Sequence, residues 1–261
     1  MSLATLLKGS SQDSVSACGG VAALVGLLAP GGTNAVHEPA TAALRKLCCD
    51  NAENRDSVRE CGGVPALVGL LARGRSAAVL EEAAGALRNL SSGCTENQSR
   101  VRECGGVAAI VRLLAPGGSA AVHKQAAAAL CNLCCDDTRN KDLVRECRGI
   151  AVLVALLAPG GTDAVHQQAA GALQCLCVRS AQNAACVRWC GGIPALVGLL
   201  ARGGPAAVLE QGAAALWSVS FNNTENKDSI RECGGITTLF GLLAPGGSAA
   251  CMSWRLGRCK A

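Results

Sequence analysis

At 261 residues and 50% apolar content the chain has ample material for a core, but three Trp, two Phe and no Tyr mean that Leu, Val, Ala and Cys must build it. A net charge of +5, with no long basic run and almost no aromatic interleaving, excludes the phosphate tracking and base stacking that nucleic-acid binding requires. The longest apolar runs, such as 150–158, are too short to span a bilayer as a helix, and the first nine residues lack the basic lead and long apolar stretch of a signal peptide.

In chain order, Leu3 and Leu6 read as the stub of a helix. Ser11–Val15 then aligns with Asn54–Val58 further on, so the chain opens inside a partial unit covering residues 1–17. Cys18 begins a Cys-x-Gly turn that returns at Cys61, Cys104, Cys147, Cys190 and Cys233, always 43 residues after the last. A period held to the residue marks a tandem array, in which each unit packs mainly on its neighbours. Five complete units fill 18–232, and a sixth starts over 233–250.

The unit around residues 54–92 reads as three helices. Asn54 is placed to cap a short first helix, Arg55–Glu60, and Asn recurs at 97, 140, 183 and 226. Gly62-Gly63 stops that helix, and the Pro65 region opens a second with Leu67, Val68, Leu70 and Leu71 on a broad apolar face. Arg73-Gly74 ends it. A third helix follows from about Ala78 to Leu90, with Val79, Ala83, Ala86, Leu87 and Leu90 at helical spacing.

Seventeen cysteines suggest a disulfide framework until their register is noted: six are the anchor, and Cys48, Cys134 and Cys177 recur near helix ends. Because the core is ample, they read as buried, reduced thiols serving as small apolar residues, which points to cytoplasm or nucleus. His37, His123 and His166 share one repeat position and read as structural. Cys131-x-x-Cys134 lacks the second pair that a zinc site needs, so no metal and no cofactor is expected. There is no nucleophile elbow, phosphate loop or His-Glu-x-x-His, and no catalytic residue is assigned. Arg59, Arg102, Arg145, Arg188 and Arg231 form a solvated series with pairs between units.

The segments 226–236, 193–200 and 83–90 resemble the armadillo repeat, and the resemblance runs over about 11–250. It implies an all-α fold, a right-handed α-solenoid of three-helix repeats, whose third helices line a concave groove that holds an extended peptide or a partner protein. In armadillo proteins that carry nuclear-import cargo, the third helix presents a Trp and, four residues later, an Asn. The Asn position is matched here by Asn89 and Asn132 but is Lys46, Cys175 and Ser218 in the other units. The Trp position holds Ala42, Gly85, Ala128, Gly171 and Ala214, so the pockets for a Lys stem are missing. Trp217 lies one residue before the Asn position and reads as a lone groove-edge or inter-repeat contact.

The expected function is a non-enzymatic protein-interaction scaffold. Its groove, with Arg45, Lys46 and Arg88 toward one end, would take an extended neutral or acidic segment of another protein, held through Asn89 and Asn132. Two alternatives stand beside it: the substrate-recognition fragment of a larger U-box ubiquitin ligase, and a truncated repeat fragment without a selected partner.

The sixth unit departs from the template after Ala250. Back-translating residues 251–261 and reading one nucleotide earlier allows Val-His-Glu-Leu-Ala-Ala-Gly-Ala-Leu-Gln-Gly, close to the third helices that begin at Val36 and Val165. The tail therefore reads as an out-of-frame continuation of the repeat. An end left without its covering helix would be open to self-association.

Overall fold

The computed structural model describes residues 19–71 and 75–243. The partial first unit, Cys18, the Arg73-Gly74 loop and the 251–261 tail lie outside the described residues. Among those described, all regular structure is helical, in 16 helices. The chain divides into two compact units, 1–133 and 134–261.

The first unit holds α1 (Gly20–Gly26), α2 (Asn34–Leu47), α3 (Ala52–Glu60), α4 (Gly63–Leu70), α5 (Ala77–Leu90), α6 (Thr95–Glu103), α7 (Gly106–Leu113) and α8 (Ala120–Cys134), which ends at the boundary. The second holds α9 (Thr138–Glu146), α10 (Gly149–Ala155), α11 (Asp163–Cys177), α12 (Ala181–Trp189), α13 (Gly192–Ala201), α14 (Ala206–Ser220), α15 (Thr224–Glu232) and α16 (Gly235–Leu243). The order within a repeat is two short helices and one long helix. Third helices lie beside third helices, α2 on α5 in the first unit and α11 on α14 in the second.

The first helix begins earlier than its sequence suggests. In α3 the cap is Asn51, whose side-chain oxygen accepts from the Asn54 backbone N–H at 2.9 Å. Asp137, Ser180 and Asn223 cap α9, α12 and α15 in the same way. The recurring Asn is instead a buried clamp on the helix before it. Asn54 Nδ2 donates to Leu47 O at 3.0 Å, Asn97 to Leu90 O at 2.9 Å, Asn183 to Leu176 O at 3.0 Å and Asn226 to Val219 O at 2.7 Å. Carbonyls in the last turn of a helix have no partner within it, and this amide supplies one.

The Gly-Gly stop is as expected, and one residue of the pair makes it. The left-handed residue is the first of the Gly pair, with φ of 77° at Gly62 and 73° at Gly105. Where Arg148 stands in place of the first glycine, it adopts that conformation itself, at φ 60°. The second glycine is required for close approach. A Cβ on Gly63 would sit 2.4 Å from Val58 Cγ1, and one on Gly192 would sit 2.4 Å from Val187 Cγ1.

The anchor cysteines among the described residues are not buried. Cys61 and Cys233 are exposed, while Cys104, Cys147 and Cys190 are half-exposed, because each stands just past the end of a first helix. The residue that seals that junction is the aliphatic one three positions earlier: Val58, Val101, Val144, Val187 or Ile230. Cys48, Cys134 and Cys177 are buried as expected.

The core is aliphatic. Leu44, Leu47, Leu67, Leu87, Leu90, Ile110, Leu130, Ile150 and Leu153 are fully buried, each contributing about 1.5–3 kcal/mol relative to exposure. Buried Ala83, Ala84 and Ala86 on α5, and Ala169, Ala170 and Ala172 on α11, keep the third helices thin enough to pack closely.

Candidate partner-binding face of the third helices

In the first unit, α2, α5 and α8 carry Arg45 and Lys46, then Arg88 and Asn89, then Asn132, all half-buried near the helix C-termini. Asn89 Nδ2 donates to Arg45 O at 2.8 Å, and Asn132 Nδ2 donates to Arg88 O at 2.9 Å. Each amide thus ties its helix to the last turn of the preceding third helix. The Asn89 oxygen accepts from Arg88 Nε and Nη2, both at 3.1 Å.

The floor is not the open surface that small residues suggest. Arg45 Nε pairs with Glu82 Oε2 at 2.8 Å, and its stem crosses Gly85, where an added Cβ would meet Arg45 Cδ at 2.5 Å. Gly85 therefore makes room for an arginine from the neighbouring repeat. Burial raises the Glu82 carboxyl, with Arg45 opposing that shift. Arg45, Lys46 and Arg88 put three cations near the C-terminal ends of α2 and α5, with Arg45 paired to Glu82.

In the second unit, α11 and α14 carry Cys175 and Ser218 at the Asn position. Ser218 is 3% exposed and its hydroxyl has no hydrogen-bond partner. A serine side chain is too short to repeat the reach of Asn89 or Asn132. Ser218 is therefore a buried residue and not part of the accessible face. Over Gly171, Gln211 Oε1 lies 3.2 Å from where a Cβ would stand. Trp217 is 45% exposed and is not alone: its ring meets that of Phe221 one helical turn on, with centroids 5.4 Å apart at 48°.

The histidines are explained by geometry. The Nε2 atoms of His37, His123 and His166 meet the carbonyls of Ala29, Ala115 and Ala158 at 3.3, 3.1 and 3.1 Å, tying the third helix to the loop that precedes it. Gly32, Gly118 and Gly161 face those rings; a Cβ there would fall 2.4, 2.5 and 2.6 Å from Nε2. Among the described residues, no group of three or more His, Cys, Asp or Glu side chains is arranged to hold a metal. Burial pushes the Cys48 and Cys177 thiols up to about 12, and the Cys134 thiol up as well.

The arginine series behaves as paired surface with one addition. Arg59, Arg145 and Arg231 each pair with an Asp three residues earlier. Arg145 Nη1 also donates to Asn183 Oδ1 at 2.9 Å, and Arg188 Nε to Asn226 Oδ1 at 2.8 Å, so these two reach the clamp of the next repeat. Arg188 additionally pairs with Glu225.

Sequence reasoning passed over Trp189. It is 75% exposed, the Arg188 guanidinium lies 5.8 Å from its ring centroid, and it lines an open groove of about 770 Å³ on the first-helix side of the second unit. The signal was available: Trp189 stands where the other units carry Glu60, Glu103, Glu146 and Glu232.

Residues 51–92 and 94–135 match the Armadillo/beta-catenin-like repeat. No curated protein matches the chain by sequence. Among solved structures, an engineered protein aligns at 28% identity over 90% of this chain and 94% of its own, with a TM-score of 0.82. Another engineered protein aligns at 29% identity over 92% of this chain and 57% of its own, with a TM-score of 0.84. A designed armadillo repeat protein, solved in complex with the peptide (KR)4, aligns at 25% identity over 84% of this chain and 90% of its own, with a TM-score of 0.75.

Proposed function

We propose that this chain, of which residues 51–92 and 94–135 match the Armadillo/beta-catenin-like repeat, is a non-enzymatic scaffold that holds an extended segment of another protein along its third helices. The observation that supports this reading is the ladder in the first unit. Asn89 and Asn132 tie each third helix to the one before it, and Lys46, Arg88 and both asparagines are half-buried near the helix C-termini. A rigid row of donors at repeat spacing suits backbone carbonyls of an extended chain, and its rigidity lowers the ordering cost of binding.

The designed relative was solved with a cationic peptide, (KR)4. The first unit here carries Arg45, Lys46 and Arg88 near the C-termini of its third helices, and no indole stands at the positions that would wall a Lys stem. We therefore assign this chain the opposite preference, a neutral or acidic segment. We place the protein in cytoplasm or nucleus, a reading supported by the three thiols that its core keeps neutral.

The test is titration of a labelled acidic peptide library against the parent, Lys46→Glu and Arg88→Glu. Each charge reversal should weaken binding at least about tenfold, as expected for losing one charge-assisted hydrogen bond. Asn89→Ala should weaken it too, but that variant also loses a bond between helices, so its stability is measured alongside. Unchanged affinity in both charge reversals would remove the assignment.

A further inference from the structure

The groove beside Trp189 contains chemistry that a peptide scaffold does not use. Cys186 on α12 and Cys190 just past its end are four residues apart, which places them on one face of the helix. Their Sγ atoms are 4.0 Å apart and both residues are half-exposed. Cys186 is peculiar to this repeat: the equivalent positions hold Ser57, Arg100, Leu143 and Ser229. The repeat anchor Cys190 thereby gains a second thiol 4.0 Å away, in the described first helix that also carries the exposed Trp189.

We propose that Cys186 and Cys190 form a two-thiolate site for a soft, thiophilic cation of the copper(I) class. At a metal–sulfur distance of about 2.3 Å, two thiolates on one ion are separated by about 3.8 Å at a tetrahedral angle and about 4.6 Å when linear. The observed separation falls inside that span, so an ion can be accepted by small rotations of the two side chains. Zinc requires four ligands in a structural site, and no further Cys, His, Asp or Glu completes such a set among the described residues. Soft ions that accept two thiolates remain.

Binding releases two protons: each S–H bond is replaced by an S–metal bond, and both protons pass to solvent. The product of two thiolates and one monovalent ion carries one negative charge. Arg145 lines the same groove and its field favours the Cys186 thiolate, so the site holds a countercharge.

The experiment uses the full chain with Trp217→Phe and Trp254→Phe, leaving Trp189 as the sole indole. Anaerobic titration with copper(I), buffered by a competing chelator, should quench Trp189 fluorescence at one equivalent. Cys186→Ser and Cys190→Ser should each abolish that quench, while Cys61→Ser and Cys233→Ser should leave it in place. Serine at 186 restores what the array carries at Ser57 and Ser229, so that variant should retain the parent's helicity by circular dichroism. X-ray absorption at the copper edge should show two sulfur neighbours. A quench that survives Cys186→Ser, or a parent that shows none, overturns the site.

Discussion

Residue scale shows most clearly what the repeat demands of single side chains. His123 occupies the space where a Gly118 side chain would be, and its ring closes on Ala115 O. Gly118→Ala should therefore destabilise the fold by about 1–3 kcal/mol through overpacking, read as a shift in the urea midpoint. Restoring space with Gly118→Ala/His123→Ala should recover part of that loss. The buried thiols give a pH dependence. Cys48 and Cys177 titrate near 12 when folded, above the value of about 8.5 for a free thiol, so the folded chain keeps protons that the unfolded chain releases. Their contribution is complete below about pH 8.5 and is lost as pH rises toward 12. Thermal midpoints taken between pH 7.5 and 10 should fall, and Cys48→Ala with Cys177→Ala should flatten the slope. That the cysteines divide into buried and exposed sets was not legible in the sequence. Their period was visible, but the side on which a residue leaves a helix end depends on a backbone turn of one residue, and the anchor falls on the outer side.

At the scale of elements, the three helices of each repeat, their order and the third-helix boundaries were legible, because apolar spacing and Gly-Gly stops fix them. The role of the recurring Asn was not. A cap three residues upstream can be Asn, Asp or Ser, so it varies and hides, whereas the invariable Asn had to reach backward to a carbonyl of the helix before it. The same amide accepts from the arginine of the previous repeat, which couples neighbours through one buried group. Asn183→Ala removes the donor to Leu176 O and the acceptor for Arg145 together, and should cost about 1–3 kcal/mol in a denaturant melt. Asn→Asp at the same position should cost more, because it places a carboxylate against that carbonyl.

For the whole molecule, the repeat period and the lack of Trp at 42, 85, 128, 171 and 214 could be read directly, while the Arg45–Glu82 bridge over Gly85 could not, since it joins residues 37 apart that only stacking brings together. On the last described helix, Ile236 and Phe240 are exposed, an apolar pair suited to self-association. Sedimentation at rising concentration should show association that Phe240→Lys reduces. The central claim, a partner segment lying along the third helices, is tested most directly by hydrogen–deuterium exchange of the full chain with and without the best-binding acidic peptide. The expected result is new protection over 42–47, 85–90 and 128–133, with the first helices unchanged. Protection confined to the first helices, or none at saturating peptide, would contradict it.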